Sequence, residues 1–534
     1  MIENHAQPVA SYDTLRIATP IFCVQGESAV FSMSKRRNDL AAGVLVVALW
    51  ALLYLPHLRT SPLWYGDEAL ALKAGLNLVQ GVPAHGSFWN TFWNAYAPYQ
   101  PGYEALIGLA AGIAGGDILG ARLINALIAL AVALVLCFGG RRIMDAPYAL
   151  GAALVFLGYE QSVIHFRWIF THNLVALGFA VAFIWLCAKP ARRADWTAGC
   201  GLAIGALALP LSVYGCVAAF LLRIKYPRSW IPLFAPYAAV VGASIGFGWL
   251  LFRGKGFVWT DLAAMAEFYA DASRENGGGF KVFENFFRFY TQDAFHILAL
   301  GMVLLSFAGR ARALAGGALL VSVLLLQNRQ NLPVFYYQAV VLLPLLAVCC
   351  GAGCQALAGF AARAGFSTPL IKKSLCCAPA AVGVLLCVSM LPQSLSGSLK
   401  PRIAFWCTQS IPEVEAAAAW INERTGPDDL VICHQNIAWL LKARTADYLQ
   451  ATTWAGIPTW PFKRPLRRDQ FRFAPELAAA RFAVVADIDM RWTFAQPGVQ
   501  EIIAVFEKEK WPVAWSGEHY FVLRNPRFGT ANGG

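Results

Sequence analysis

An aspartate and a glutamate, Asp67 and Glu68, stand side by side in SPLWYGDEALALKAGLNLVQG, soon after the first long apolar run of the chain. A carboxylate at a membrane surface can take a proton from a hydroxyl group, which makes the pair a candidate for general-base work. The same two residues also suit the N-cap and first turn of a helix. Further on, YEQSVIHFRWIFTHNLVAL places Glu160, His165, Arg167, His172 and Asn173 around one boundary of the apolar runs. Ionisable groups at that depth are costly unless they face a wet cavity or one another, so the group reads as a functional site rather than as separate snorkelling side chains. Arg122, in GARLINALIAL, falls at the same level and either joins that site or meets a lipid headgroup. Arg329, in QNRQNLPVFYYQAVVLLPLL, sits on the side where basic residues are disfavoured, and an anionic partner would account for it.

The elements that must position these residues are membrane spans. Of 534 residues, 58% are hydrophobic and 14% charged, which excludes a disordered, collagen-like or ordinary cytosolic chain. The net charge of +12 is carried by short basic clusters between apolar runs, the pattern of cytoplasmic loops rather than of a nucleic-acid surface. Apolar runs predict eleven crossings, near 40–56, 118–138, 148–165, 168–188, 196–209, 212–223, 230–252, 294–309, 313–327, 333–353 and 374–392. The two short runs around Pro210 read either as separate spans or as one kinked helix. Six basic clusters share one side if Pro210 marks an outer turn and the stretch 103–116 lies along the outer interface. The N-terminal tail, 1–38, is then cytoplasmic, with Met33 a candidate start. The expected domains are this tail, a membrane domain over 39–392 with outer loops at 57–117 and 253–293, and an extracytoplasmic α/β domain over 393–534.

That last domain is expected from alternating helix-like and strand-like stretches such as EVEAAAAWINERTG, DDLVICHQ, RFAVVADIDM and HYFVLRN. It shows no nucleophile motif or Gly-rich phosphate loop. Cys407 and Cys433 are either a disulfide or two buried thiols, and most other cysteines lie in apolar runs without metal-ligand spacing. The loop at 253–293 ends in an aromatic run, Phe280 to Tyr290, that suits either a moving flap or a belt anchor.

The ordered set YGDEALALKAG, YQPGYEALIGLAAGIAGG, GARLINAL, FGGRRIMDAPYALGAAL, HFRWIFTHNLVAL and RQNLPVFYYQAVVLLPLL resembles the GT-C-fold glycosyltransferases that use polyprenyl-phosphate sugars. The branch is that of protein O-mannosyltransferases, the lipid A aminoarabinose transferase and lipopolysaccharide-core galacturonosyltransferases, and the likeness covers about residues 38–350. It implies a polytopic α-helical membrane enzyme of the inner membrane that moves a hexosyl or pentosyl group from the lipid-linked donor to a lipid, glycan or protein acceptor, with inversion. By the same resemblance the base or acceptor-orienting carboxylate falls on Asp67, with Glu68 beside it. Arg329 would meet the donor phosphate, and Arg167 matches the family's boundary arginine. Arg122, Asn173 and Tyr336 complete the expected substrate-binding set, together with Gln100 and His172. Two departures stand out: Gln100 precedes Pro101 where many relatives have a basic residue, and His172 stands where many have Asp. Some relatives bind a divalent metal, for which the sequence offers no ligand pair, and no nucleotide cofactor is expected. The competing class is a lipid or glycan transporter or flippase, which usually shows repeated halves and helices broken at mid-membrane; neither is visible here.

Overall fold

The protein is described as a computed structural model over residues 25–65, 68–79, 101–208, 211–252, 282–326, 337–366, 368–401, 408–459, 468, 471 and 473–528, with backbone alone at 25–36, 70, 101, 248–252, 282, 337 and 338. Gly66 and Asp67, Gln100, Pro210, Arg329, Tyr336 and Cys407 lie outside the described residues, as does most of the expected outer loop at 253–293. The chain divides into two compact units at Leu45/Val46.

Helices dominate the chain up to Ser396. They are α1 (Gln25–Tyr54), α2 (Glu68–Val79), α3 (Pro101–Ile113), α4 (Ile118–Leu134), α5 (Ala146–Gly158), α6 (Glu160–His165), α7 (Thr171–Leu186), α8 (Arg192–Ala206), α9 (Ser212–Arg223) and α10 (Trp230–Phe252). After the gap come α11 (Val282–Tyr290), α12 (Ala294–Ser306), α13 (Arg312–Leu326), α14 (Leu343–Arg363) and α15 (Pro369–Ser396). Among the described residues five stretches are long and apolar enough to cross a membrane, and a sixth arises if α11 and α12, bent by 112°, count as one span. Large apolar side chains lie bare on the long helices, Ile231 at 76% and Leu385 at 68% exposure, as a lipid-facing surface requires.

Several boundaries differ from the periodicity reading, each for a local reason. The run expected as one span at 148–165 breaks at Tyr159, whose backbone is extended, into α5 and α6. The two runs around Pro210 are separate helices, α8 and α9. The short outer stretch expected at 103–116 is α3, opened by Pro101, where a missing N–H costs nothing. Helices α2 and α3 cross backbone to backbone: a Cβ on Gly75 would run into the Glu104 carbonyl, and one on Gly108 into Gly75 itself. Small residues allow this approach where lipid supplies no hydrophobic drive between helices.

Beyond Ser396 the chain forms a mixed sheet. The strands of the described residues are β1 (Trp64–Tyr65), which lies between α1 and α2, and, after Ser396, β2 (Thr408–Gln409), β3 (Leu430–Ile432), β4 (Arg444–Ala446), β5 (Phe482–Ala486), β6 (Val513–Ser516) and β7 (Tyr520–Arg524). Five of them make one sheet in the order β4-β3-β5-β7-β6, with β3, β4 and β5 parallel. Both faces are covered. Val431, Phe482 and Val484 join α16 (Ile411–Asn422) in one core, while Ile432, Ala483 and Val485 join Tyr448 and Val499 in the other. Strands buried on both faces read as continuous apolar runs, which is why RFAVVADIDM carries no alternation. Cys433 is a buried free thiol.

The remaining pair of strands joins this sheet region to the segment before α2: Trp64 lies opposite Gln409 and Tyr65 opposite Thr408, antiparallel. Gly75→Val should cost more than the roughly 1–3 kcal/mol of ordinary overpacking, because the obstacle is backbone. Thermal melting of the purified variant should show a lower Tm or loss of monodisperse protein.

Candidate active site

Glu68 and Arg122, both completely buried, form an ion pair. Arg122 donates through Nε to Oε1 at 2.9 Å and through Nη2 to Oε2 at 2.6 Å, the two-pronged geometry that a guanidinium offers a carboxylate. Its remaining nitrogen, Nη1, donates to the carbonyls of Leu58 at 3.1 Å and Pro62 at 3.0 Å. Glu68 takes two more hydrogen bonds, from the Tyr65 N–H at 3.0 Å and the Ile169 N–H at 2.8 Å. One pair therefore ties the 58–68 segment, α4 and the 165–170 boundary together. The Tyr65 bond is that of an acidic residue in a first turn reaching back beyond the helix start.

The boundary segment is fixed by the same kind of contact. Asn173 donates from Nδ2 to Asn125 Oδ1 at 2.9 Å and to the His165 carbonyl at 3.0 Å, and Tyr103 donates its hydroxyl proton to the same Asn125 oxygen at 3.0 Å. Trp168 donates to the Leu63 carbonyl at 2.9 Å, and the Tyr65 ring lies 5.2 Å from the Trp168 ring. His172 stacks on Phe170 with ring centroids 4.6 Å apart. Arg167 ties the same boundary segment to the end of α1. It donates to the carbonyls of Leu53 and Pro56 at the carboxyl end of α1, where a cation meets the negative end of the helix dipole.

Of the residues singled out in the sequence, Glu68, Arg122, Arg167, His172 and Asn173 all belong to this one assembly. Asp67 is joined covalently to Glu68, while Gln100, Arg329 and Tyr336 are outside the described residues. The chain returns one residue after Tyr336, as a 3-10 turn at 337–342 that packs on α6 and α7, beside the boundary segment. Asn125 was missed by the sequence reading. Its signal is a polar residue three positions after Arg122 in an otherwise apolar helix, hence on the same face. A second polar group, also missed, lies at the α5–α6 break: Tyr159 donates to Asp293 Oδ2 at 3.1 Å, and the buried His296 ring is 2.9 Å from Asp293 Oδ1. Among the described residues no group of three or more His, Cys, Asp or Glu side chains could hold a metal ion.

The segment before α2 also meets the sheet region. Arg59 pairs with Asp117, the N-cap of α4, at 2.8 Å and with Glu415 of α16. The Trp64 and Trp439 rings lie 4.9 Å apart. The edge of the sheet that carries the carboxyl ends of β3, β4 and β5 holds two buried carboxyl groups, Asp447 and Asp489. Burial pushes Asp447 up to about 8 and Asp489 up to about 7, and for Asp447 the Asp489 charge adds to the rise.

No protein-family model matches the sequence, and a search of curated proteins finds no match. Solved structures do match. ArnT from Cupriavidus metallidurans bound to undecaprenyl phosphate aligns with a TM-score of 0.58 at 13% identity, covering 91% of this chain and 97% of that one. An oligosaccharyltransferase from Archaeoglobus fulgidus, tethered with an acceptor peptide, aligns with a TM-score of 0.54 at 12% identity, over 93% of this chain and 75% of that one. The chain has the GT-C fold that the order of its sequence motifs implies.

Two predictions follow from the geometry. Arg122→Ala leaves Glu68 buried without its counter-charge and should destabilise the protein by about 3–5 kcal/mol, whereas the double change Glu68→Leu with Arg122→Leu should cost less; chemical denaturation of the two variants compares them. The folded state keeps the Asp447 proton over a range in which the unfolded chain, with an ordinary aspartate near 3.9, has lost it. This carboxyl therefore makes stability fall as pH rises from about 4 to about 8. Asp447→Asn should remove that contribution, so that the variant gains on the wild type in Tm as pH rises through this window.

Proposed function

We propose that the chain is a membrane glycosyltransferase that moves a sugar from a polyprenyl-phosphate-linked donor to an acceptor hydroxyl at the outer face of the membrane. The observation that carries this reading is the fold shared along nearly the whole length of both chains with an ArnT bound to undecaprenyl phosphate. Eleven crossings, a cytoplasmic N-terminus in the inner membrane and an extracytoplasmic sheet domain belong to the same proposal.

The chemistry needs a base, a charge to receive the leaving group and a rigid frame between them. Asp67 is the base. As the acceptor oxygen bonds to C1, the C1–O bond to phosphate breaks, the acceptor proton passes to the Asp67 carboxylate, and the polyprenyl phosphate leaves with the electron pair. Attack opposite the leaving group inverts C1. Arg329 receives the phosphate charge through its guanidinium fork. Glu68, whose oxygens accept from Arg122, Tyr65 and Ile169, is a positioning residue rather than a second base. It holds the chain position next to Asp67 against the boundary segment, and a misplacement of about 1 Å can cost a hundredfold in rate. Arg167 and Asn173 brace the same frame, one at the end of α1 and the other through Asn125.

Two variants test the assignment in full-length protein reconstituted with polyprenyl-phosphate sugars. Asp67→Asn should abolish transfer, a loss of about 10²-fold or more, while leaving the melting temperature unchanged. Normal turnover would remove the base assignment. Arg329→Ala should weaken binding of undecaprenyl phosphate more than it changes the acceptor KM; an unaltered titration would remove the phosphate role.

A further inference from the structure

Three basic stretches that are far apart in the chain meet at the end of α7 remote from the boundary segment, about 24 Å along its 16 residues. Arg223, the last residue of α9, is buried there. It donates through Nε to Asp195 Oδ1 of α8 at 3.1 Å and through Nη2 to the Ala188 carbonyl, just past α7, at 3.0 Å. The Trp230 indole, at the start of α10, donates to the Arg223 carbonyl at 3.2 Å. The start of α13 completes the corner: Cys187 lies against the backbone of Ala313 and Leu314, and a Cβ on Gly317 would strike the Phe183 ring of α7.

The surface around this buried pair is positive. Lys189, Arg192 and Arg193 near the α7–α8 link, Lys225 and Arg228 between α9 and α10, and Arg312 at the start of α13 are all exposed. Among the described residues none of these six side chains has an ion pair, a hydrogen bond or a ring contact. Asp195 is the sole acidic residue from 187 to 230, none occurs from 294 to 326, and Arg223 already holds it. The bias that places cations on one face of a membrane protein accounts for their side but not for their gathering at one corner without counter-charge. Elsewhere Arg141, Arg142 and Arg363 lie over the Phe138, Trp185 and Phe360 rings. Here Arg192 and Arg193 stand in the first turn of α8 and Arg312 opens α13, the helix end at which a cation is disfavoured.

An apolar track leads away from the cations. Val213, Val217, Leu221 and Ile224 are exposed at helical spacing along α9, so they form one stripe that ends beside Lys225. We propose that this corner binds an anionic phospholipid, with its phosphate among Arg192, Arg193 and Lys225 and an acyl chain along the α9 stripe. The headgroup supplies the counter-charge that the protein lacks, and basic pockets between helix ends suit such headgroups. A soluble polyanion would meet the same charges but would have no use for the stripe.

The test uses full-length protein in detergent, with bound lipid counted by native mass spectrometry. The probes are tetraoleoyl cardiolipin, dioleoylphosphatidylglycerol, dioleoylphosphatidylcholine and polyglutamate. At least one of the two anionic lipids should bind saturably and about tenfold or more tighter than phosphatidylcholine. Combining Arg192→Gln, Arg193→Gln and Lys225→Gln should weaken that binding by about tenfold or more, while Tm in phosphatidylcholine nanodiscs stays at the wild-type value because these side chains touch nothing else. The control combines Arg363→Gln, Lys372→Gln and Lys373→Gln, which removes the same charge from α14 and α15, and should leave binding within about twofold. If the corner variant does not fold, Arg193→Gln and Lys225→Gln are measured singly, each with an expected loss of about threefold. No preference over phosphatidylcholine, an equal loss in the control, tighter binding of polyglutamate than of either anionic lipid, or unchanged affinity in the corner variants overturns the proposal.

Discussion

A carboxylate and a guanidinium locked together away from the protein surface organise the packing around the start of α2. The Glu68–Arg122 pair is completely buried, and its polar atoms are answered by backbone groups as well as by each other. A buried pair of this kind contributes less to stability than its Coulomb energy suggests, since both ions lose their hydration. Its value is geometric. A two-pronged bond between planar groups has one good arrangement, and here that arrangement sets the relation between the start of α2, the 58–62 segment and the boundary after α6.

The surrounding structure preserves this relation. Glycines at 75 and 108 let α2 and α3 touch at backbone distance, which carries α3 against α4 and places the Tyr103 hydroxyl on Asn125. Asn125 in turn takes Asn173, closing a polar chain from α3 through α4 to α7. On the other side Arg59 and the short β1–β2 pair bind the segment before α2 to the sheet region. The residues on either side of Gly66 and Asp67 are thus held from the helices and from the sheet at once, the rigidity that the proposed transfer would require.

Much of this was written locally in the chain. The DE pair at the opening of a helix-like run, the HFRWIFTHN boundary and the lone arginine of GARLINAL each carry their signal within a few residues, because a charge beside an apolar run is informative without knowing its partner. The partners themselves were not legible. Arg122 and Glu68 are 54 positions apart, and Trp64 meets Gln409 through two strands of two residues each, too short for any alternation to show. The break at Tyr159 escaped for a related reason: both sides of it are apolar, so hydropathy runs on while the backbone does not. Asn125 hid in a helix whose other faces touch lipid or core, and only its spacing from Arg122 marked it.

The account stands on a single spatial claim, that the donor's phosphate docks beside the segment framed by Glu68 and Arg122. A structure of the full-length protein with undecaprenyl phosphate bound tests this most directly. The account predicts the phosphate on the outer side of the buried pair, facing Asp67 and in contact with Arg329. A phosphate seated at the opposite face of the membrane, or one that touches neither residue, would contradict it.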